Sequence, residues 1–222
     1  MNRLAIFDCD GTLVDSGGTI FAALSEAFDK HGMDVPPASV SRRVIGLSLV
    51  EAMAALAPDA EDAEHRGLAE TYKGCFIEAR AAGRVEEPLF PGIAELLDRL
   101  EADGWLLAVA TGKSDRGLRH CLDCHGYADR FVSLQTADRH PSKPHPSMVL
   151  QAMADAGAAP ETTVMIGDTV FDVEMAVAAG AKAIGVDWGY HDAAELLAAG
   201  AIAVAEQPSD IYDLMQAMMV RA

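Results

Sequence analysis

Asp8 and Asp10 stand two residues apart, directly after the apolar run at 4–7. If that run is a strand, its period-two alternation aims both carboxylates the same way and turns Cys9 back into the protein. Like charges held so close repel. They are tolerable with a divalent cation between them, or with one carboxyl keeping its proton as an acid. Gly11 lets backbone approach a ligand closely, and Thr12 follows it. Taken alone, Asp-x-Asp-Gly equally fits a polar turn that caps a strand. A second acidic pair, Asp168 and Asp172, follows the apolar run at 163–166 and opens on Gly167. Four residues apart at a helix start, the two share a face. Helix capping accounts for Asp168 and leaves Asp172 without a role. A hard cation explains both pairs if the two strand ends are neighbours, since Mg²⁺ takes one or two carboxylates together with waters and phosphate oxygens.

Between these pairs the run at 105–110 ends in Thr111, Gly112, Lys113 and Ser114. A hydroxyl and free amides at such a junction suit an anion, although a plain strand-turn-helix junction with Ser114 as the cap gives the same pattern. Lys143, one of five lysines, lies in the stretch Pro141-Ser142-Lys143-Pro144-His145-Pro146. The prolines stiffen the loop, and a cation fixed where phosphate and carboxylate charges converge neutralises both.

The elements that must position these groups follow from periodicity. Apolar runs at 4–7, 105–110, 131–134, 163–166, 183–186 and 201–205 each adjoin a helix-like segment, which predicts a parallel sheet covered by helices. About seventy residues after Val14 break this rhythm. There Ile20, Phe21, Leu24 and Phe28 share one helical face, as do Leu68, Tyr72, Phe76 and Ala79. Breaker residues bracket the interval, Asp15-Ser16-Gly17-Gly18 before it and Glu87-Pro88-Leu89-Phe90-Pro91-Gly92 after it. An inserted helical unit is expected, with Gly17 and Gly92 in the linkers as a hinge. Met215, Met218 and Met219 recur at helical spacing and are expected to form a packing face.

The 222 residues carry 34 acidic against 17 basic side chains, a formal charge of −17. A polyanion is an unpromising partner for nucleic acid. Half of the residues are apolar and 23% are charged, a globular composition. No stretch nears the ~20 apolar residues of a membrane span, and an apolar strand follows Met1 almost at once. No membrane association, no signal peptide and a cytoplasmic location are therefore expected, with Cys9, Cys75, Cys121 and Cys124 reduced.

The segments Asp8-Cys9-Asp10-Gly11-Thr12-Leu13-Val14-Asp15-Ser16, Thr111-Gly112, Lys143-Pro144 and Gly167-Asp168 with Asp172 resemble, in order, the four motifs of the haloacid dehalogenase-like superfamily. The insertion resembles the helical cap of its phosphoglycolate phosphatase-like branch. The resemblance implies an α/β fold: a three-layer Rossmann-like core with a parallel sheet, made of residues 1–15 and 88–222, carrying a helical cap at 16–87. It further implies that Asp8 is the nucleophile, forming an aspartyl-phosphate, and that Asp10 is the acid and base. Mg²⁺ would be held by Asp8, the Asp10 carbonyl and Asp168, with Asp172 orienting the metal shell or Lys143. Thr111 and Lys143 would bind the phosphoryl oxygens, beside Gly11, Thr12 and Gly112. An Asp two residues after the nucleophile favours phosphate esters over dehalogenation or phosphonate cleavage.

The expected activity is hydrolysis of a small cytoplasmic phosphate monoester, with phosphoglycolate or a sugar phosphate as the natural guess. A β-phosphoglucomutase-like phosphotransferase is the close alternative, and a phospho-accepting signalling switch the non-enzymatic one. The switch resembles a shorter chain with its motifs in a different order. Arg42 and Arg43, in a chain short of positive charge, are candidate readers of the leaving group against the simpler reading of a solvated face. Cys121, Cys124 and His125 formally spell a haem-attachment motif, and with His120 a zinc set. A helix with two buried thiols and exposed imidazoles is the expectation instead.

Overall fold

The computed structural model describes residues 1–219, Met219 by its backbone alone. Six strands form one all-parallel sheet: β1 (Asn2–Phe7), β2 (Trp105–Thr111), β3 (Ser133–Thr136), β4 (Ala158–Gly167), β5 (Lys182–Val186) and β6 (Ala203–Ala205), in the order β3-β2-β1-β4-β5-β6. The chain builds outward from β1 on one side and returns through β4 to build on the other. Ligand crevices in such sheets open at this reversal, beyond the carboxyl ends of the central strands. Phe7 of β1 stands level with Val109 of β2 and Ile166 of β4, so three loops leave the sheet side by side.

Residues 4–7 are buried on both faces, as an internal parallel strand requires. Ala5 and Phe7 pack with Ile93, Leu97 and Leu100 of α5 (Ile93–Ala102), Leu118 of α6 (Asp115–Cys124) and Ile211 of α10 (Pro208–Met219). Leu4 and Ile6 pack on the other face with Val149 and Ala152 of α7 (Ser147–Ala156), Val173 and Ala176 of α8 (Val170–Ala178) and Leu196 of α9 (Ala193–Ala199). The three layers follow from this alternation. Met215 is buried in the first of these cores and Met218 packs against it, while the side chain of Met219 lies outside the described residues.

Every strand departs from its apolar run by at least one residue, and β3, β4 and β6 depart in different ways. β3 starts at Ser133 because Phe131 is spent in the core beside α5. β4 reaches back to Ala158 through a partly buried start, Ala158-Ala159-Pro160-Glu161-Thr162, where Thr162 donates to the Asn2 carbonyl at 2.8 Å. β6 is confined to residues 203–205. Among the described residues, no helix is long and apolar enough to cross a membrane.

Between β1 and β2 the chain forms α1 (Gly17–Lys30), α2 (Ala38–Ser41), α3 (Leu49–Leu56) and α4 (Asp62–Ala81). They enclose a separate core that includes Leu24, Phe28, Met53, Leu68 and Tyr72. The α4 start is fixed by a reciprocal capping box between Glu61 and Glu64. Both linkers run side by side: Val14 pairs antiparallel with Leu89, and the Asp15 amide donates to the Pro88 carbonyl at 2.8 Å. Of the two glycines expected at the hinge, Gly92 takes a left-handed φ of 93°, whereas Gly17 is the first residue of α1.

Candidate active site

Asp8 and Asp10 leave the end of β1, and the two carboxylates enter different networks. Asp8 is buried, its Oδ1 accepting from the Cys9 amide at 2.6 Å and lying 3.0 Å from Lys143 Nζ. Its Oδ2 is buried and has no hydrogen-bond partner. Asp10 accepts on Oδ1 alone, from the Ser16 hydroxyl and from Lys113 Nζ at 2.8 Å. Oδ2 of Asp10 accepts no hydrogen bond among the described residues. Cys9 turns inward, its sulfur 4.0 Å from that of Cys121.

At the end of β4, Asp168 accepts from the Thr12 hydroxyl (2.8 Å) on Oδ1 and from the Tyr190 amide (3.0 Å) on Oδ2. The neighbouring Asp172 corrects the capping argument. Thr169, not Asp168, is the N-cap of α8, and Asp172 is its capping-box partner, with Oδ2 accepting from the Thr169 amide (3.1 Å) and hydroxyl (2.7 Å). Capping therefore does give Asp172 a role, because the helix starts one residue later than Asp168. Its other oxygen holds Lys143 Nζ at 2.6 Å. Gly11 makes the approach of the two loops possible. Its φ is 81°, and a Cβ there would lie 2.3 Å from Asp168 Oδ2.

Asp8, Asp168 and Asp172 each place a carboxylate oxygen within 4.8 Å of the others. Burial raises Asp8 to about 7; Lys143 pulls it down, while Asp172 and Asp10 push it further up. Burial, then Asp172 and Asp8, hold Asp168 well above the usual carboxylate range. Burial alone would lower Lys143, but Asp172 and Asp8 outweigh it and raise its pKa. These groups fit a hard divalent cation by two observations: the donors are all carboxylate oxygens, and one of them, Asp8 Oδ2, is buried without a partner. Asp172 gives one oxygen to the Lys143 ammonium and the other to two Thr169 donors, and Asp168 accepts one bond on each oxygen, so among these three carboxylates the buried oxygen without a partner is Asp8 Oδ2.

Asp8, Asp10, Thr111 and Gly112 line a cavity of about 340 Å³ that the helical insertion walls on one side. The Thr111 hydroxyl accepts from the Lys113 amide at 3.2 Å, and Ser114 caps α6 by accepting from the Gly117 amide at 3.1 Å. Lys143 does not line this cavity; it lies beneath Asp8, fully buried. The cap segment at 42–48 rests on the loops around the site. The Ser48 amide donates to Ser142 Oγ at 2.8 Å, His191 Nε2 donates to the Arg43 carbonyl at 3.3 Å, and a Cβ on Gly112 would come within 2.8 Å of the Gly46 and Leu47 carbonyl oxygens.

A family model described as haloacid dehalogenase-like hydrolase matches residues 5–186. The chain belongs to the haloacid dehalogenase-like hydrolases. It is 37% identical over 225 residues to the probable phosphatase IndB of Dickeya dadantii, covering 99% of this chain and 96% of that one. It is 31% identical over 223 residues to a phosphoglycolate phosphatase of Pseudomonas putida, covering 98% and 78%. A crystal structure of a hydrolase from Pseudomonas syringae superposes with a TM-score of 0.83 at 27% identity, covering 96% of this chain and 97% of that one.

The structure of this haloacid dehalogenase-like hydrolase brings Asp8, Asp10, Gly11, Thr12, Thr111, Gly112, Lys143, Asp168 and Asp172 to one end of the sheet. It does not bring Arg42 and Arg43 there. Neither lines the cavity, and Arg43 forms a two-pronged ion pair with Glu195 of α9 at 2.6 and 2.8 Å. The motif at Cys121 also differs from expectation. The buried stripe of α6 is Leu118, Cys121 and Leu122, so Cys124 falls outside it and is exposed, 3.6 Å from His120 Nε2. His125 is half-buried and donates from Nε2 to the Glu87 carbonyl at 2.8 Å.

Sequence reasoning gave no role to Lys113. Its ammonium is buried between Asp10 (2.8 Å) and Glu87 (2.6 Å), the latter in the returning linker. Burial lowers its pKa, and Asp10, Cys9 and Glu87 reverse this and carry it well above the usual lysine value. Tyr190, packed over Gly11 and Gly17, was missed as well. A lysine directly after Thr111-Gly112 in a chain with only five was the available signal.

Proposed function

We propose that this chain is a Mg²⁺-dependent phosphatase that hydrolyses a small phosphate monoester through an aspartyl-phosphate on Asp8. The observation that carries the reading is Asp8 Oδ2, a buried carboxylate oxygen with no partner on a residue that lines the cavity. Asp8 attacks phosphorus, the bond from phosphorus to the leaving oxygen breaks, and Asp10 gives that oxygen a proton. Asp10, now a carboxylate, takes a proton from the water that attacks the phosphorus. The bond to Asp8 breaks, releasing inorganic phosphate and restoring the Asp8 carboxylate. Ser16 and Lys113 grip Asp10 by one oxygen and so aim the other.

Thr111 and the Gly112 backbone line the end of the cavity that receives the phosphoryl oxygens. Lys143, held by Asp172, offsets the Asp8 charge from below. Asp8, Asp168 and the Asp10 carbonyl would hold Mg²⁺, which supplies charge neutralisation for the phosphoryl group. Closure of the cap over the cavity would exclude water from the first transfer.

The test is phosphate release from a panel of monoesters that includes phosphoglycolate, with Mg²⁺ or chelator, for wild type and Asp8→Asn. Release is expected to need both Mg²⁺ and Asp8, with a loss of roughly a thousandfold or more in the variant. Asp10→Asn is expected to accumulate phosphorylated protein. Ready turnover by Asp8→Asn would mean a different nucleophile.

A further inference from the structure

Lys73, Arg80, Lys113 and Arg116 all border the cavity, and only the two lysines have partners. Lys73 is paired with Glu70 at 2.7 Å, and Lys113 is held by Asp10 and Glu87. Arg80 of α4 and Arg116 of α6 form no ion pair, and their side chains donate no hydrogen bond among the described residues. Nε of Arg80 is buried without a partner, and its guanidinium lies over the Phe76 ring, 5.4 Å from the centroid. That ring supports the charge and leaves the N–H groups of the fork unspent, at a cost that an entering acceptor would relieve. Arg116, in the first turn of α6, is exposed. The carboxylates on the lining do not answer these charges. Asp8 and Asp10 belong to the catalytic end, and Asp138 accepts from the Asp115 amide at 2.8 Å without pairing with either arginine. Ile20, Leu24 and Met53 contribute apolar wall to the same cavity, and an ion pair formed against such a wall is stronger than one in water. In a chain with a formal charge of −17, two unspent arginines facing one cavity make a local reversal of sign, which draws anions to it.

We infer that Arg80 and Arg116 select the substrate by an anionic group, a carboxylate or a second phosphate, on the part of the molecule that leaves with the ester oxygen. The inference deepens the phosphatase reading above and rests on it. The phosphate to be cleaved is taken at the Asp8 end, and the second anion is taken from two sides, by Arg80 on the cap and Arg116 on the core. A guanidinium fork meets a carboxylate or phosphate with two parallel hydrogen bonds. A neutral guest leaves both arginines unpaired, and a cationic one is repelled. The reading of the leaving group expected of Arg42 and Arg43 thus falls to two other arginines, which do line the cavity.

The experiment compares kcat/KM for esters of primary alkanols with three carbons: 2-carboxyethyl phosphate, propane-1,3-diyl bisphosphate, 3-hydroxypropyl phosphate and 3-aminopropyl phosphate. Their leaving groups are alike in length and reactivity, so the ratios report charge; the bisphosphate value is halved for its two equivalent ends. Asp8→Asn serves as the blank, and Arg80→Gln and Arg116→Gln as the variants. In wild type the carboxyethyl ester or the bisphosphate is expected to exceed the hydroxypropyl ester at least about tenfold, with the aminopropyl ester below it. The anionic ester that leads names the group that is read. Each Gln variant is expected to lower this anionic-to-neutral ratio about threefold or more, a readout that general damage to the fold would not move, since both esters would suffer alike. A wild-type ratio near one, or a ratio that either Gln variant leaves unchanged, would overturn the inference, and Asp8-dependent release from the hydroxypropyl ester would leave the phosphatase reading standing. Absence of Asp8-dependent release from every ester would overturn the phosphatase reading, and the inference with it.

Discussion

Replacing Lys113 by Met tests how the insertion is tied to the catalytic end of the sheet. The Lys113 side chain is 8% exposed, and its two partners, Asp10 on the β1 loop and Glu87 on the returning linker, are 11% and 6% exposed. Methionine fills similar space and removes the charge, which leaves two carboxylates facing one another out of water. Breaking a buried pair from one side costs about 3–5 kcal/mol, against 0–1 kcal/mol at the surface. For a chain of this size that is a fall in Tm of roughly 6–20 °C. Glu87→Gln alone also breaks the pair, but in the double variant only Asp10 remains charged, and Ser16 still donates to it. The double variant should therefore be more stable than the sum of the single losses by at least about 1.5 kcal/mol. Urea unfolding of the four proteins in chelator measures this coupling. Losses that add within about 0.5 kcal/mol, or a Lys113→Met variant as stable as wild type, would refute the buried triad as an energetic unit.

The dependence on pH and metal has a definite sign. In chelator, Asp8 keeps its proton in the folded protein to about pH 7, against an ordinary value of 3.8 when unfolded. Its contribution to stability is therefore fully present below the unfolded value and is lost as pH rises through the folded one. Mg²⁺ should raise Tm more at pH 8 than at pH 5, because at pH 5 it must displace a proton; thermal scans at both pH values check this, and equal shifts would contradict it. Gly112→Ala is expected to lower kcat/KM roughly tenfold through misplacement of the cap segment at 42–48, since the added Cβ meets two backbone carbonyl oxygens at 2.8 Å. Steady-state kinetics read the effect, and unchanged parameters would mean that the segment at 42–48 does not rest on Gly112 during turnover.

The strand-end positions of Asp8, Asp10, Thr111 and Asp168 were legible because each follows an apolar run buried on both faces, a pattern that local sequence carries in full. What local sequence does not carry is the partner. Arg43 reads as an unpaired cation in the cap until Glu195, 152 positions away, comes into contact. Lys113 carries no local sign of its burial, because Asp10 and Glu87 converge on it only once the two linkers lie side by side. The misreading of Asp172 had a different origin. A helix start displaced by one residue exchanges the cap between Asp168 and Thr169, and periodicity cannot fix a helix end that finely. The apolar cap wall was hidden for a third reason, since Ile20, Leu24 and Phe76 belong to stripes that read as packing and in fact also border the cavity.

The adjacency of β1 and β4 also governs when the chain becomes competent during synthesis. Thr12 and Asp168, joined by a hydrogen bond, are 156 positions apart, whereas the cap core draws only on residues between Ala23 and Phe76. The cap can therefore consolidate while the ribosome is still making the rest, and β1 must wait with its carboxylates and no facing strand. A nascent chain stopped before β4 has Asp8 and Asp10 but neither Asp168 nor Asp172, so the carboxylate cluster beneath the cap is incomplete. The last central strand to emerge is the one that completes the cluster.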